Sequence, residues 1–164
     1  MAFKHNRLTD WSQVHLPGET VVSHAVTWTG PVAAGQYGSA NSHGDRLRLE
    51  YAESLGLESI PGPASLKTFC LLTDRQLALA TRSNLRDQPK DMPHTAPLNG
   101  VRVHWFDHDA GAGNRFRHYI TEFGDGTCRA DRSALTQLGR TNKSNNADHF
   151  IESLGDRAVQ LTDL

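Results

Sequence analysis

The chain has 164 residues, a formal net charge of −1 and a hydrophobic fraction of 37%, which suits one domain with a modest core and predicts no general attraction to nucleic acid or anionic membranes. No segment approaches the roughly 18 consecutive apolar residues of a membrane-spanning helix. Residues 1–10 carry no apolar run, so we expect no secretory signal and a cytoplasmic location.

The first two predicted elements are a strand and a helix. Residues 20–28 alternate as a strand does, and one face would carry Val22, His24, Val26 and Trp28. Residues 45–55 predict a helix that ends at Gly56, because apolar side chains recur at every fourth position. We expect an inward stripe of Leu47, Tyr51 and Leu55, with solvated residues Arg46, Arg48, Glu50 and Glu53.

The middle of the chain predicts an antiparallel meander. Strand patterns occupy residues 66–72, 76–81, 98–108, 115–123 and 127–130. The Thr73-Asp74-Arg75 sequence predicts a tight turn, because an Asp side chain can bond the backbone that follows it. The Gly124-Asp125-Gly126 sequence predicts a hairpin, since glycine readily adopts positive φ. Short turns between successive strands favour antiparallel pairing.

A final amphipathic helix is predicted to run from a cap at Asn145 or Asn146 to about Leu154, where Gly155 ends it. Its apolar stripe would be Ala147, Phe150, Ile151 and Leu154. Residues 30–44 and 84–97 are rich in Pro, Gly or Asn and predict exposed loops.

Cys70 and Cys128 lie inside predicted strands and lack the spacing of metal ligands. This placement predicts two buried thiols in a reducing compartment. A disulfide is the alternative, because the sequence does not show whether the two cysteines meet.

Several short motifs occur in a particular order. These are PGE at 17–19, LTDRQL at 72–77, PL at 97–98 and the final helix at 146–154. The succession resembles the bacterial PH-like domains, relatives of the pleckstrin-homology and GRAM folds. Those domains commonly begin with a PGE segment, continue through LTDRRL and a PL strand, and close with a helix.

The resemblance covers residues 16–156 and implies an α+β fold. Its sheet would be strongly bent and antiparallel, or a partly open barrel, with the C-terminal amphipathic helix at one end. Residues 35–64 would be an insertion with its own helix, residues 1–15 an N-terminal extension and residues 157–164 a C-terminal tail.

Two groups of side chains are candidate sites. Four arginines on adjoining strands predict an anion or acidic-peptide site, or simply a solvated surface: Arg115, Arg117, Arg129 and Arg132. A second group predicts metal or acid–base chemistry: His104, Asp107, His108 and His118. Strand spacing places His104 and His108 about 13 Å apart, so we expect no bound metal and no other cofactor. No serine-nucleophile or nucleotide-binding motif is present.

These observations predict a non-enzymatic binding or adaptor domain that recognises a protein segment or an anionic head group. The alternative is a small hydrolase or metal-dependent enzyme that uses the histidine and aspartate group between residues 104 and 118. A third expectation is that the helix at 45–55 docks onto a partner or onto a second copy of the chain.

Overall fold

Three α-helices, three short 3₁₀ helices and a ten-stranded sheet occur in the part of the chain that the structure describes. This computed structural model describes residues 5–28, 38–60, 67–81, 91 and 94–164. Parts of the predicted loops 30–44 and 84–97, and both flanks of the predicted insertion 35–64, lie outside the described residues. The helices are α1 (His5–His15), α2 (Gly38–Ser54) and α3 (Ala147–Leu154). The strands are β1 (Val21–Trp28), β2 (Glu58–Ser59), β3 (Lys67–Thr73), β4 (Gln76–Thr81), β5 (His94–Pro97), β6 (Arg102–Gly111), β7 (Asn114–Glu122), β8 (Thr127–Gln137), β9 (Arg140–Thr141) and β10 (Ala158–Gln160).

The sheet is open and mixed, so the α+β class is confirmed. Its strands are hydrogen-bonded in the order β10-β6-β7-β8-β1-β3-β4-β5, and β2 and β9 also pair with β8. Most pairs are antiparallel, but β10 runs parallel to β6 and β2 runs parallel to β8. The predicted antiparallel pairing is therefore confirmed for most of the sheet, and the two parallel pairs were not predicted. Turn signals identify hairpins, whereas these parallel pairs join segments that are distant along the chain.

The β3–β4 hairpin is a predicted turn with an unpredicted hydrogen-bond pattern. Thr73 Oγ1 accepts hydrogen bonds from the backbone N–H groups of Arg75 and Gln76, at 3.1 and 3.0 Å. Asp74 Oδ1 instead accepts from the backbone N–H of Thr20 at 2.9 Å. Thr73 therefore holds the turn, and Asp74 connects it to the segment that precedes β1.

The sheet curls, and its concave face carries the main core. Gly124, in the β7–β8 turn, approaches Gly100 after β5 so closely that a Cβ on Gly124 would lie 2.6 Å from Gly100 Cα. Gly100 stands opposite Gly124 in continuation of the β6–β7 register. The His94 ring of β5 lies 4.4 Å from the Phe123 ring between centroids, and this contact brings the β4–β5 side of the sheet toward the end of β7. Phe150 and Leu154 of α3 pack into one cluster with Ala25, Cys70, Leu72, Leu77, Leu79, Ala96, Val101, Val103, Tyr119 and Phe123.

The other face of the sheet is covered by α1 and α2. Leu8 of α1 is fully buried against Phe69 and its neighbours, and Trp11 packs beside it. The predicted stripe of α2 packs over Phe106, Ile120 and Cys128, and consists of Leu47, Tyr51 and Leu55. Both helices thus contribute to the core, including the one in the predicted N-terminal extension.

Five local expectations are corrected. Helix α2 begins at Gly38, inside a predicted loop, although glycine and serine have weak helix propensity. Gly44 of this helix packs directly against the His108 and His118 rings, a tertiary contact that the local sequence does not reveal. The expected solvated residue Arg48 is only 1% exposed. Strand β5 lies in the other predicted loop, and β10 lies in the predicted tail. Strand β8 extends to Gln137, beyond the predicted end at 130.

Strands β1 and β8 pair at Trp28 and Arg132, and α3 starts where the two strands separate beyond that pair. Asn145 Nδ2 donates to the carbonyl of Ala134 at 2.7 Å, and Asn146 Nδ2 donates to the carbonyl of His24 at 3.0 Å. Asn146 occupies the predicted N-cap position, but its side chain bridges to β1 and makes no capping hydrogen bond. The two asparagines therefore connect β8, β1 and the start of α3.

The two cysteines lie in different parts of the core and are both free, buried thiols. Cys70 belongs to the concave cluster, and Cys128 lies beneath α2. Burial raises the pKa of the Cys70 thiol to about 12 and also raises the pKa of Cys128. The disulfide alternative is therefore not adopted.

None of the helices in the described ranges is long and apolar enough to cross a bilayer.

Candidate functional site

A polar cleft of about 540 Å³ lies between strands β6–β9 and the start of α3. The charged side chains that line it come from both sides of the cleft and are Asp107, Arg115, Arg117, Lys143, Asp148 and Glu152. Its volume falls within the range of about 300–1,000 Å³ that is usual for ligand sites.

Arg117 forms the floor of the cleft. Its Nε and Nη2 donate to the two carboxylate oxygens of Asp107 at 2.7 and 2.9 Å, and its Nη1 donates to Asp148 at 2.8 Å. The guanidinium also lies over the Trp105 ring, 4.5 Å from its centroid. Burial alone would lower the pKa of Arg117, but the hydrogen bonds to Asp107 and Asp148 and the charge of Asp107 outweigh it and raise that pKa above its usual value. Arg117 is therefore a fixed, permanently charged group.

The rim of the cleft carries exposed charges of both signs. The Arg115 side chain is 53% exposed, and its Nη2 lies 3.8 Å from Asp107 Oδ2. Lys143, on the strand-side rim, is also exposed. On the helix side, the Asp148 side chain is 81% exposed and Glu152 is exposed as well. Three basic and three acidic side chains thus give the cleft a balanced formal charge.

The first turn of α3 lies beside the cleft. Helix N-termini present N–H groups without intrahelical partners, and no described side chain caps this one. Ala147, Asp148 and His149 of this turn all line the cleft. The partial positive charge of the helix terminus therefore acts beside the rim cations.

The four predicted arginines do not share one site. Arg115 and Arg117 line the cleft. Arg129 is buried and donates to Asp131 and to Thr68, at 3.2 and 2.9 Å. Arg132 stands directly opposite His118 in the β7–β8 pairing, and opposed residues share one face of a sheet. Arg132 therefore lies on the face opposite to the one that carries Arg117. The sequence located the hairpin but did not fix its register, which decides the face that each arginine occupies.

A buried charge cluster lies beneath α2 and was missed by sequence reasoning. Asp45 lies 3.1 Å from Arg48 Nη2 and accepts a hydrogen bond from Arg132 Nη1 at 2.8 Å. Asp45 and Arg48 stand three positions apart on one helix, a spacing at which side chains are neighbours. That spacing was the available signal, but the same pattern is common on solvated helix faces.

His118 completes this buried cluster. Its ring stacks on Phe106 with the centroids 4.8 Å apart, and its Nδ1 lies 3.8 Å from Asp45 Oδ1. Burial, then the charges of Arg48 and Arg132, hold the pKa of His118 well below its usual value. Gly44 packs so closely that a Cβ there would lie 2.7 Å from His118 Nε2. His118 is therefore a neutral ring enclosed beneath α2.

His104 belongs to a separate chain of hydrogen bonds. Its Nδ1 is hydrogen-bonded to Tyr51 Oη at 3.1 Å, and its Nε2 lies 2.5 Å from Glu122 Oε2. Burial, followed by the charge of Glu122, raises the pKa of the Tyr51 phenol. This arrangement ties α2 to β6 and β7.

The predicted histidine and aspartate group is thus divided. As the alternation predicted, His104 and His108 lie on the α2 side, whereas Asp107 faces the cleft. The rings of His108 and His118 are 6.2 Å apart between centroids. Among the described residues, no three or more histidine, cysteine or acidic side chains are placed to hold a metal ion.

A scan of protein-family models and searches of curated proteins and of solved structures found no match to this chain. The resemblance to bacterial PH-like domains therefore rests on the sequence motifs alone. The contacts of the cleft and of the buried clusters are the observations from which a function can be inferred.

Proposed function

We propose that this protein is a non-enzymatic binding module whose cleft takes a polar protein segment. The observation that carries this proposal is the combination of a fixed floor with an open rim. Arg117 is held by carboxylates from β6 and α3, whereas Arg115 remains half exposed at the edge. A site that is already ordered binds a partner with a smaller loss of conformational entropy.

The balance of charge favours a protein segment over an anionic head group. A head group entering the cleft would meet three carboxylates as well as three cations. A polypeptide instead offers amide donors, carbonyl acceptors and side chains of both signs. Such a segment can satisfy the Arg115 and Lys143 side of the cleft and the Glu152 side at the same time.

The PH-like resemblance supports the same proposal. An open curved sheet with the helix α3 packed on its concave face agrees with the architecture that the sequence motifs imply. A PH-like identity is thus part of the proposal. Docking through residues 45–55 onto a partner or a second copy of the chain stays a prediction.

The alternative hydrolase or metal-dependent enzyme receives no comparable support. It requires Asp107 to act together with the three histidines at 104, 108 and 118. Strand alternation places Asp107 on the cleft side, where it is bound to Arg117, and places His104 on the other face between Tyr51 and Glu122.

Selection of short random peptides displayed on phage against the immobilised protein tests the proposal. We expect selected peptides to lose affinity when Arg115→Ala or Lys143→Ala opens the strand-side rim. Arg46→Ala is the matched control, because Arg46 is exposed on α2, away from the cleft. Peptides that bind all three variants and the parent equally would contradict a function for this cleft.

Inorganic phosphate and vesicles that contain anionic lipids serve as the competing probes. Displacement of selected peptides by phosphate or by such vesicles, at concentrations that do not act through ionic strength, would favour a head-group site instead.

A further inference from the structure

The two carboxylates that hold Arg117 differ in a way that points to the chemistry of the partner. Asp107, on the neighbouring strand β6, accepts hydrogen bonds from Nε and Nη2 of the guanidinium, and its side chain is 24% exposed. Asp148 accepts a single hydrogen bond, from Nη1 to its Oδ1, and its side chain is 81% exposed. The Arg117 side chain itself is only 8% exposed.

This asymmetry makes the Asp148 contact the one that is readily exchanged. A single contact to a carboxylate in solvent contributes little, because water and ions compete for the same oxygen. The bidentate contact with Asp107 fixes the plane of the guanidinium. Arg117 Nη1 would therefore keep its position if Asp148 moved away into solvent.

Other positive groups line the cleft near this donor. Arg115 makes only a long contact with Asp107, at 3.8 Å, so it is free to turn toward a ligand. Lys143 lies with Arg115 on the strand-side rim, and the first turn of α3 also lines the cleft. Asn146 leaves that turn uncapped because its side-chain amide is bound to the carbonyl of His24.

We propose that the cleft recognises an aspartate or glutamate side chain of its partner segment, whose carboxylate replaces Asp148 on Nη1 of Arg117. This inference rests on the proposed function and deepens it by naming the chemical group that is bound. Asp148 is then an internal competitor that occupies the site when no partner is present. Its displacement leaves three cations against Asp107 and Glu152 as the lining of the cleft.

The test uses the full chain, labelled with ¹⁵N, and two blocked peptides. One has the sequence Gly-Ser-Glu-Ser-Gly, and the other carries Gln in place of Glu. We expect the Glu peptide to shift the amide signals of the cleft residues more strongly than the Gln peptide. Asp148→Asn should then bind the Glu peptide about two- to fivefold more tightly than the parent, which is the range that an exposed ion pair represents.

Glu152→Gln is the matched control. It removes the same charge from the same helix, and its carboxylate is likewise exposed. A general charge effect would raise the affinity equally in both variants, whereas displacement at Arg117 raises it more in Asp148→Asn. Equal changes, or weaker binding by Asp148→Asn, would overturn the inference.

Failure of this inference can be separated from failure of the proposed function. Phage-selected peptides that depend on Arg115 and Lys143, but bind equally well with Glu changed to Gln, would keep the function and overturn the carboxylate contact. Inorganic phosphate that shifts the same signals while neither peptide does would overturn both.

Discussion

Asp45 of α2 accepts a hydrogen bond from Arg132 of β8 at 2.8 Å across 87 positions of sequence, and both side chains are buried. The same carboxylate lies 3.1 Å from Arg48. One anion thus faces two buried cations, and it fixes the position of α2 on the sheet.

Asp45→Ala is expected to be strongly destabilising. It leaves Arg48 and Arg132 buried beneath α2 without their shared anion, and breaking such a group removes about 3–5 kcal/mol from the free energy of unfolding. Urea unfolding monitored by circular dichroism measures the change. Glu50→Ala is the control, since it removes an exposed partner of Arg46 and should change stability by less than about 1 kcal/mol. Similar unfolding midpoints for the two variants would contradict a central role for Asp45.

His118 predicts a dependence of stability on pH. Its pKa in the folded protein lies well below the usual value, whereas in the unfolded chain it is about 6.5. The unfolded state therefore binds the proton first as pH falls. The contribution of His118 to the free energy of unfolding is fully present above pH ~6.5. As pH falls below that value, the free energy of unfolding decreases by up to about 1.4 kcal/mol per pH unit.

Unfolding of the parent and of His118→Phe, measured between neutral and mildly acidic pH, isolates this contribution. The variant should lose less stability over the window, whatever its stability at neutral pH. Parallel pH profiles would show that His118 is protonated in the folded protein as readily as in the unfolded chain.

Phe150→Ala is expected to show that α3 belongs to the core. The Phe150 ring is buried, 6.1 Å from the Tyr119 ring between centroids, so its removal should lower the free energy of unfolding by about 3–5 kcal/mol. Glu152→Ala, on the exposed side of the same helix, should change it by no more than about 0.5 kcal/mol. A denaturation midpoint that Phe150→Ala leaves unchanged would place the helix outside the cooperative unit.

Gly124→Ala tests the close approach of the β7–β8 turn to the segment that precedes β6. Gly124 has φ +79°, and an added Cβ would lie 2.6 Å from Gly100 Cα. Gly126→Ala is the matched control, because φ there is +89° and nothing lies within 4 Å of the added Cβ. Both variants carry the strain of a positive φ, about 1 kcal/mol, and only Gly124→Ala adds a backbone clash. Thermal unfolding should therefore show the larger loss for Gly124→Ala, and equal losses would argue against the close approach.

Modification of the protein with a thiol reagent is expected to be limited by unfolding. Both cysteines are buried, and burial raises the pKa of Cys70 to about 12. The thiolate is the reactive form, so the native protein should react slowly and the denatured protein at once. Rapid reaction of the native protein would show that the core around Cys70 opens easily.

Local sequence patterns were sufficient to predict the elements whose signals are short-range. The hairpin at Thr73 and the apolar stripe of α3 depend on residues within a few positions of one another. The alternation that separates Asp107 from His104 and His108 is also local, because successive side chains of a strand point to opposite faces. These features are set by backbone geometry and by short-range hydrogen bonds.

Features that depend on a residue distant in the sequence became visible only in the folded chain. Arg48 has the pattern of a solvated helix residue, yet it is buried, with its guanidinium 3.1 Å from Asp45. The sequence offered no reason to separate Arg117 from Arg132. The β7–β8 register nevertheless directs Arg117 toward the cleft and Arg132 beneath α2. The side chain of Asn146, a residue suited to capping, instead bonds a carbonyl 122 positions away. A local pattern does not encode which strand lies alongside, and a shift of one residue in register exchanges the two faces.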